Sequence, residues 1–450
     1  MSDLLAIGAS GVRAYQGALT TTSENIANAG VEGYAKRSAR LAEVGAASGS
    51  YRSGAVNAGM GVTITGIARS ADAYKTAAVR TAGTDLARTE SASAWLGRIQ
   101  GALTGNQLTA RVTGFFTAAS TLAADPTSSA ARTALLESAT TAAGAFSATG
   151  RALDQVAADL DSTADQGTAA LNRFGAALAK VNDGLARTAP DSAAAASLAD
   201  QRDQLLEQMS TLVDVTVTTD SIGRATVKLG DASGAVFVSG TSAGAVTYAR
   251  DADKVTLAMF RDGVSGAVLP NGGALGGIVD GAKQVADARA ALNTIAGAFT
   301  TDVNAFQARG QTLGGGAPPP KMFDIAPASV PTEFKLSLTN PDDIAAASVG
   351  GGPRDGSNLA TLQASRAASG VEGRTTTLVA NNAAAIEQRK LVADAQSAIR
   401  DGAVSARDSV SGVNLDTEAV DLLRFQQAYQ ASSKVIQVAR DIFQTIIGIN

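Results

Sequence analysis

Cysteine and histidine are absent from this chain of 450 residues, and aromatic residues make up only 4% of it. Catalysis by a cysteine nucleophile, or by a serine paired with a histidine base, is therefore excluded. Structural zinc sites are improbable for the same reason, because their ligands are almost always cysteine or histidine. No glycine-rich loop ends in the Lys-Ser or Lys-Thr pair that a phosphate-binding loop needs. We therefore predict no catalytic residues, no metal site and no cofactor.

One short string imitates a catalytic motif. Residues 240–244 read GTSAG, which matches the nucleophile elbow of hydrolases. That elbow needs a strand–turn–helix context and a histidine base, whereas the segments on both sides of this string alternate as strands do. We interpret the string as a hairpin turn.

An excess of positive charge is missing as well. Lys and Arg number 37 and Asp and Glu number 41, which gives a formal net charge of −4 and a pI of about 5.1. No basic cluster is present to neutralise phosphates, and no aromatic residues alternate with basic ones to stack on bases. We therefore predict no nucleic-acid partner.

Long apolar runs are also missing. No stretch approaches the roughly 18 consecutive apolar residues that indicate a membrane-spanning helix. The chain begins MSDLLAIGASGVRAYQ, with an early acidic residue and no sustained apolar segment, so we expect no cleaved signal peptide. We predict no membrane partner.

Apolar periodicity divides the chain into three regions, as its length also suggests. Helical spacing over residues 1–35 and 405–450 predicts a terminal coiled-coil domain. Similar spacing over 36–212 and 271–404 predicts an elongated, mainly helical domain, although residues 36 to 75 look extended or irregular. Alternating β-branched runs predict a small antiparallel β domain over 213–270. The predicted fold class is mainly α with a β insertion.

The two ends carry matching apolar stripes, with steps that alternate between three and four residues. Such a stripe places one seam on one face of each helix, as in coiled coils. An exposed seam would be an aggregation liability, so we expect the other terminus to cover it, and after that a neighbouring subunit. The predicted subunit-interface seam comprises Leu5, Val12, Tyr15, Leu19 and Ile26 near the start and Leu422, Phe425, Tyr429, Ile436, Phe443 and Ile446 near the end.

Three segments resemble one known family. The string ANAGVEGYAKR (residues 27–37) resembles the ANxxTxGYxR signature of flagellar axial proteins, the rod, hook and hook-associated family, with Val31 at the position of the usual threonine. SGVNLDTEAVDLLRFQQAYQASSKVI (411–436) resembles the terminal helix of that family. LADQRDQLLEQMSTLVDVTV (198–217) is similar to a segment of its hook-associated members. The family-motif positions are Asn28, Gly33, Tyr34, Arg37, Gln201, Arg202, Asp203, Gln426 and Gln427.

This resemblance implies a self-assembling structural protein, without enzymatic activity, at the junction of hook and filament. It implies an extracellular position in the flagellum, reached through the flagellar secretion apparatus. The implied partners are further copies of the chain, the hook protein, the next hook-associated protein and a secretion chaperone at the C-terminal helix.

Other interpretations stay open at this point. The chain could be a hook or rod subunit, since those proteins share both terminal signatures. More distantly, it could be a secreted adhesin or enzyme with similar helical ends. The stripes could also be core positions of one globular bundle. Gln426 and Gln427 either hydrogen-bond between subunits or face solvent, and Arg202 and Asp203 form an exposed pair or pair across the bundle, or they contact another subunit.

Overall fold

A computed structural model describes residues 2–44, 60–251, 254–315, 318–327 and 329–447. Helices dominate these residues, and small antiparallel sheets interrupt them, which confirms the predicted fold class. Within the described residues, no helix combines the length and the apolar character that crossing a bilayer requires.

The helices are long. One of them has 59 residues, which corresponds to roughly 88 Å of helix at 1.5 Å per residue. The α-helices of the described residues are α1 (Ser2–Ala27), α2 (Ala73–Gly105), α3 (Leu108–Ala124), α4 (Ser129–Arg187), α5 (Ala193–Leu212), α6 (Gly273–Arg309), α7 (Ser357–Ser369), α8 (Val371–Ser411) and α9 (Leu415–Ile447).

Short polar side chains start several of these helices. The Asp72 carboxylate accepts hydrogen bonds from the backbone N–H groups of Tyr74 and Lys75 at the start of α2. Ser128 and Ser192 each accept one from the backbone N–H three residues further on. These caps satisfy N–H groups that have no partner within the helix.

All strand pairs are antiparallel, and the two larger sheets lie between α5 and α6 in the chain. The strands are β1 (Arg37–Glu43) paired with β2 (Val62–Arg69), the four-stranded sheet β3 (Val215–Thr219), β4 (Ala225–Leu229), β5 (Val236–Ser239) and β6 (Ser242–Ala243), the three-stranded sheet β7 (Ala245–Asp251), β8 (Lys254–Arg261) and β9 (Val264–Val268), and the two-residue pairs β10 (Gly310–Gln311) with β13 (Ala347–Ser348) and β11 (Phe323–Asp324) with β12 (Lys335–Leu336).

Side-chain amides of α4 bind strand backbone. The Asn172 amide donates to the carbonyl of Val246 in β7 at 2.9 Å and accepts from its N–H at 2.7 Å. Asn182 makes the same two bonds with Ala225 in β4, both at 2.8 Å. Each amide replaces the backbone partner that a neighbouring strand would supply, which attaches the sheets to the bundle formed by helices α2 to α8.

Aromatic side chains form the centre of the bundle. The Phe299 ring of α6 is buried, and its centroid lies 5.3–6.1 Å from five other phenylalanine rings. These rings belong to Phe115, Phe116, Phe146, Phe323 and Phe334. Six of the twelve phenylalanines of the chain thus meet at the centre of the bundle.

Candidate assembly site

The first and last helices form an antiparallel pair whose backbones approach closely. A Cβ atom at Gly8 of α1 would lie 2.7 Å from the Ile436 side chain of α9. One at Gly11 would lie 2.5 Å from the Ser432 hydroxyl, and the Tyr15 and Phe425 ring centroids are 6.5 Å apart. Ser432 interrupts the apolar stripe because it packs against a glycine.

This pairing covers only part of the predicted seam. Since Gly8 already faces Ile436 and α1 begins six residues earlier, the last residues of α9 extend beyond the start of α1. The half-buried members of the seam are Leu5, Val12, Tyr15, Leu19, Leu422, Phe425, Tyr429 and Ile436. Ile26, Phe443 and Ile446 are exposed.

The opposite face of α1 packs on the β1–β2 hairpin. Ala14 and Ala18 are fully buried, and a Cβ at Gly17 would overlap the end of the Ile64 side chain. The Ser10 hydroxyl accepts a hydrogen bond from the backbone N–H of Val62 at 3.2 Å. Small side chains therefore let α1 lie between a hairpin and a helix.

Asn25 connects the two ends of the chain. Its side-chain oxygen accepts hydrogen bonds from the Arg37 N–H at 3.0 Å and from the Tyr34 hydroxyl at 2.9 Å. Its NH₂ group donates to the Arg37 carbonyl at 2.7 Å and to the Glu418 carboxylate at 2.9 Å. Burial raises the pKa of Tyr34, which keeps its hydroxyl protonated as the donor. The amide thus uses its full capacity at a buried position.

Buried ion pairs extend this network to the bundle. Arg37 binds Asp200 of α5 at 2.8 Å, and Arg69 binds Asp200 at 2.6 Å and Asp203 at 2.8 Å. Lys36 binds Glu418 of α9 at 2.7 Å. We call the residues that make these contacts the signature cluster: Asn25, Tyr34, Lys36, Arg37, Arg69, Asp200, Asp203 and Glu418.

The signature cluster joins five elements of the chain. It takes residues from α1, the turn after α1, the β1–β2 hairpin, α5 and α9. Removing one partner of such a buried pair typically costs about 3–5 kcal/mol, because a charge is left buried without compensation. The cluster therefore fixes the antiparallel pair of α1 and α9, which we call the terminal pair, to the bundle.

Gly33 is required where the turn after α1 meets α5. Its φ angle is +76°, and a Cβ there would lie 2.5 Å from the Gln204 amide. That amide donates to the backbone carbonyl of Glu32 at 2.6 Å. The position thus needs both a left-handed backbone and the absence of a side chain.

Some of the other motif positions contact neighbouring elements, and the rest lie on the surface. Arg202 binds its neighbour Asp203 at 2.7 Å and donates to the Gly223 carbonyl, while Asp203 also binds Arg69 across elements. Asn28 donates to the Glu24 carbonyl one turn earlier. Gln201, Gln426 and Gln427 are exposed.

Sequence reasoning missed several central residues. Asn25, Lys36, Arg69, Asp200 and Glu418 were not singled out, although all lie in or beside the three matching segments or the hairpin. One signal in the sequence points to Asn25. It is a polar residue on the inner face of α1, where the other side chains are apolar or small.

Among the described residues, the GTSAG string of residues 240–244 does not form a nucleophile elbow, and no metal-binding cluster is present. Residues 240–241 form the turn between β5 and β6, and Ser242 and Ala243 of the same string are β6, which pairs with Ser239 and Val238 of β5. This confirms the hairpin interpretation. Within the residues that the structure describes, no three acidic side chains come together as a metal site would require.

Comparison with known proteins decides the family. Residues 96–323, just over half of the chain, match the family model described as flagellar hook-associated protein FlgK helical domain. The chain belongs to the FlgK family of flagellar hook-associated proteins. Residues 404–449 also match the C-terminal model of the flagellar basal body rod proteins FlgEFG. These residues comprise the end of α8 and all of α9.

Full-length relatives agree with this FlgK assignment. The chain is 25% identical to flagellar hook-associated protein 1 of Salmonella typhimurium over an alignment of 558 positions, which covers all of both chains. It is 30% identical to the Escherichia coli protein of that name over 321 residues, covering 68% of this chain and 57% of the relative.

A solved structure shows the same fold. The flagellar hook junction protein FlgK from Burkholderia pseudomallei superposes with a TM-score of 0.65 at 16% identity, covering 74% of this chain and all of the other. As a FlgK-family member, the chain is an exported structural part of the flagellum that assembles with other axial proteins.

Proposed function

We propose that this protein is a structural subunit, without catalytic activity, that joins the hook to the filament. The observation that carries the proposal is the signature cluster, in which segments from both ends of the chain bind each other and the bundle. A terminal helical pair held in this way presents one rigid unit for assembly, and the bundle is attached to it at a fixed angle. The FlgK relatives support the place of this unit in the flagellum.

The proposed layout has three parts. Residues 1–35 with 405–450 form the terminal helical domain, residues 36–212 with 271–404 the elongated helical domain, and residues 213–270 the outer β domain. The hairpin of β1 and β2 packs on α1 and therefore connects the first two parts.

The proposed partners are further copies of the chain, the hook protein and the next hook-associated protein. Before assembly, α9 exposes Val420, Leu423 and Val438 in addition to the end of the seam. A secretion chaperone that covers such a helix would keep it from aggregating during export. We further propose export without a cleaved signal peptide and no partnership with membranes or nucleic acids.

Deletion of the gene tests the proposal. Electron microscopy of the cells is combined with an assay for flagellin in the medium. Bare hooks together with free flagellin are the expected result. Intact swimming filaments would contradict any role in the flagellar axis.

A hook or rod subunit is the second candidate, because the C-terminal residues also match the rod-protein model. The same deletion separates the two, since loss of a hook or rod subunit leaves cells with no hooks at all.

A further inference from the structure

The terminal pair ends in an apolar knob. On the last turns of α9, Val438, Ile442, Phe443 and Ile446 are 48%, 40%, 52% and 49% exposed. Phe443 and Ile446 lie where α9 extends past the start of α1, so the partner helix cannot bury them, whereas Val438 and Ile442 lie beside the first turns of α1 and are still exposed. Exposed apolar groups in such a cluster mark an interaction site.

A cleft lies at the other end of the same pair. It has a volume of about 710 Å³ and lies between the turn after α1 and the joint of α8 and α9. Residues 29–34 of the N-terminal motif and residues 404–414 near the start of α9 line the cleft. Its lining includes Val31, Tyr34, Val404 and Val413. Val31 is exposed, so the cleft offers apolar surface without any function in the core. Its volume is in the range of clefts that accept a ligand-sized group.

Unpaired charges accompany both features. Glu32 lines the cleft, and Arg440 lies three residues before Phe443 on α9. Among the described residues, neither the Glu32 carboxylate nor the Arg440 guanidinium has a hydrogen bond or an ion pair, whereas Arg407 and Asp408 in the cleft pair with each other. Among the described residues, Asp441 beside Arg440 is also exposed and unpaired, so the knob carries one free charge of each sign, and the cleft offers a free negative charge at Glu32 that Arg440 can pair with.

We propose that the knob of one copy inserts into the cleft of the next copy, with Phe443 beside Val31 and Arg440 beside Glu32. The proposal rests on the proposed function and names the contact through which copies join. Knob and cleft are different surfaces at opposite ends of one helical pair, so the contact is heterologous and repeats from copy to copy. A pair of identical surfaces would close into a dimer and stop.

Cross-linking tests this contact directly, because the natural chain has no cysteine. Cells carry the double variant Val31→Cys, Phe443→Cys as their sole copy, and their isolated flagella are oxidised mildly. We expect a ladder of dimers, trimers and larger multiples on a non-reducing gel, and its loss on reduction. Each single variant should give no ladder. The matched control replaces Phe443→Cys with Val420→Cys, which is 65% exposed on the same helix but away from the knob, and should also give none.

Several outcomes would overturn the proposal. These are assembled flagella with no ladder from the double variant, a dimer from Phe443→Cys alone, or a product that joins the chain to a different flagellar protein. If deletion removes the filaments but the ladder is absent, the junction function stands and only the knob contact fails.

A charge exchange provides an independent test. Glu32→Arg and Arg440→Glu should each reduce swimming, since each places like charges together at the contact. The double variant should restore swimming, because it re-forms the pair with the charges exchanged. A double variant that swims no better than either single variant would contradict the pairing. Circular dichroism of the purified variants should remain that of the natural protein, as both side chains are exposed.

Discussion

The bundle and the terminal pair are built from opposite kinds of side chain. The bundle centres on six phenylalanine rings in mutual contact, with Phe299 in the middle. The terminal pair meets through Gly8, Gly11 and Ser432 and through the ring contact of Tyr15 with Phe425. Among the described side chains of α9, those of Ala439 and Glu418 are buried.

This difference separates two sources of stability. Bulky buried rings contribute free energy within one chain, whereas small residues allow close approach and contribute little apolar area. The bundle therefore buries most of the bulky apolar side chains among the described residues. The terminal pair leaves apolar side chains such as Leu423 and Phe443 exposed, so its stability depends on the signature cluster and on neighbours in the assembly.

The largest effect should come from the centre of the bundle. Phe299→Ala removes a buried ring in contact with five others, and we expect a loss of about 3–5 kcal/mol in the free energy of unfolding. Urea unfolding followed by circular dichroism measures it. Phe443→Ala is the matched control, because that ring is exposed and its loss should impair assembly while leaving the unfolding midpoint nearly unchanged. Equal effects of the two substitutions would contradict the division between bundle and terminal pair.

The next effect concerns the connection between the two regions. Asp200→Ala removes the buried carboxylate that Arg37 and Arg69 share, which leaves Arg69 with Asp203 alone, and we expect it to cost about 3 kcal/mol. Amide hydrogen exchange of the variant is compared with that of the natural protein. A larger acceleration in α1 than in α6 would show that the loss of stability is local to the terminal pair. Asp159→Ala is the control, since its pair with Arg98 is exposed and worth about 1 kcal/mol at most. A similar change in α6 would mean that the cluster belongs to the bundle core.

The sequence predicts these regions unequally. Helical spacing and capping residues indicate α4, α8 and α9 because their signals are local. The β1–β2 hairpin appears in the sequence only as an extended or irregular stretch, since its pairing depends on packing against α1. The contacts of the signature cluster are also inaccessible from sequence, although Tyr34, Arg37 and Asp203 stand out there as motif positions. Asn25 and Glu418 are 393 residues apart, and only the fold brings them into contact.

A smaller effect tests the close approach of α1 and α9. A Cβ at Gly8 would lie 2.7 Å from Ile436, whereas one at Gly97 in α2 would meet nothing within 4 Å. We expect Gly8→Ala to destabilise the terminal pair by about 1–3 kcal/mol through overpacking. Gly97→Ala should stabilise the protein by about 0.5–1 kcal/mol, because alanine is the better helix former. Limited proteolysis should show earlier trimming of the ends in the Gly8 variant only. Stabilisation by both substitutions would show that the pair adjusts without strain.

The smallest effect concerns acid and lies in the bundle, at Glu372 near the start of α8. Hydrogen bonds from the Arg366 guanidinium, and a further one from the Thr113 hydroxyl, hold the pKa of the Glu372 carboxyl below its usual value of 4.5. A carboxyl with a lowered pKa in the folded state contributes stability that is fully present above its unfolded pKa and is lost as the pH falls through the folded one. Glu372→Gln should therefore be less stable than the natural protein at pH 7, and the gap should narrow below about pH 4.5. Urea unfolding of both proteins at pH 7, 4 and 3 measures the gap. A gap that stays constant or widens in acid would mean that Glu372 stabilises the joint of α3, α7 and α8 by packing rather than by its charge.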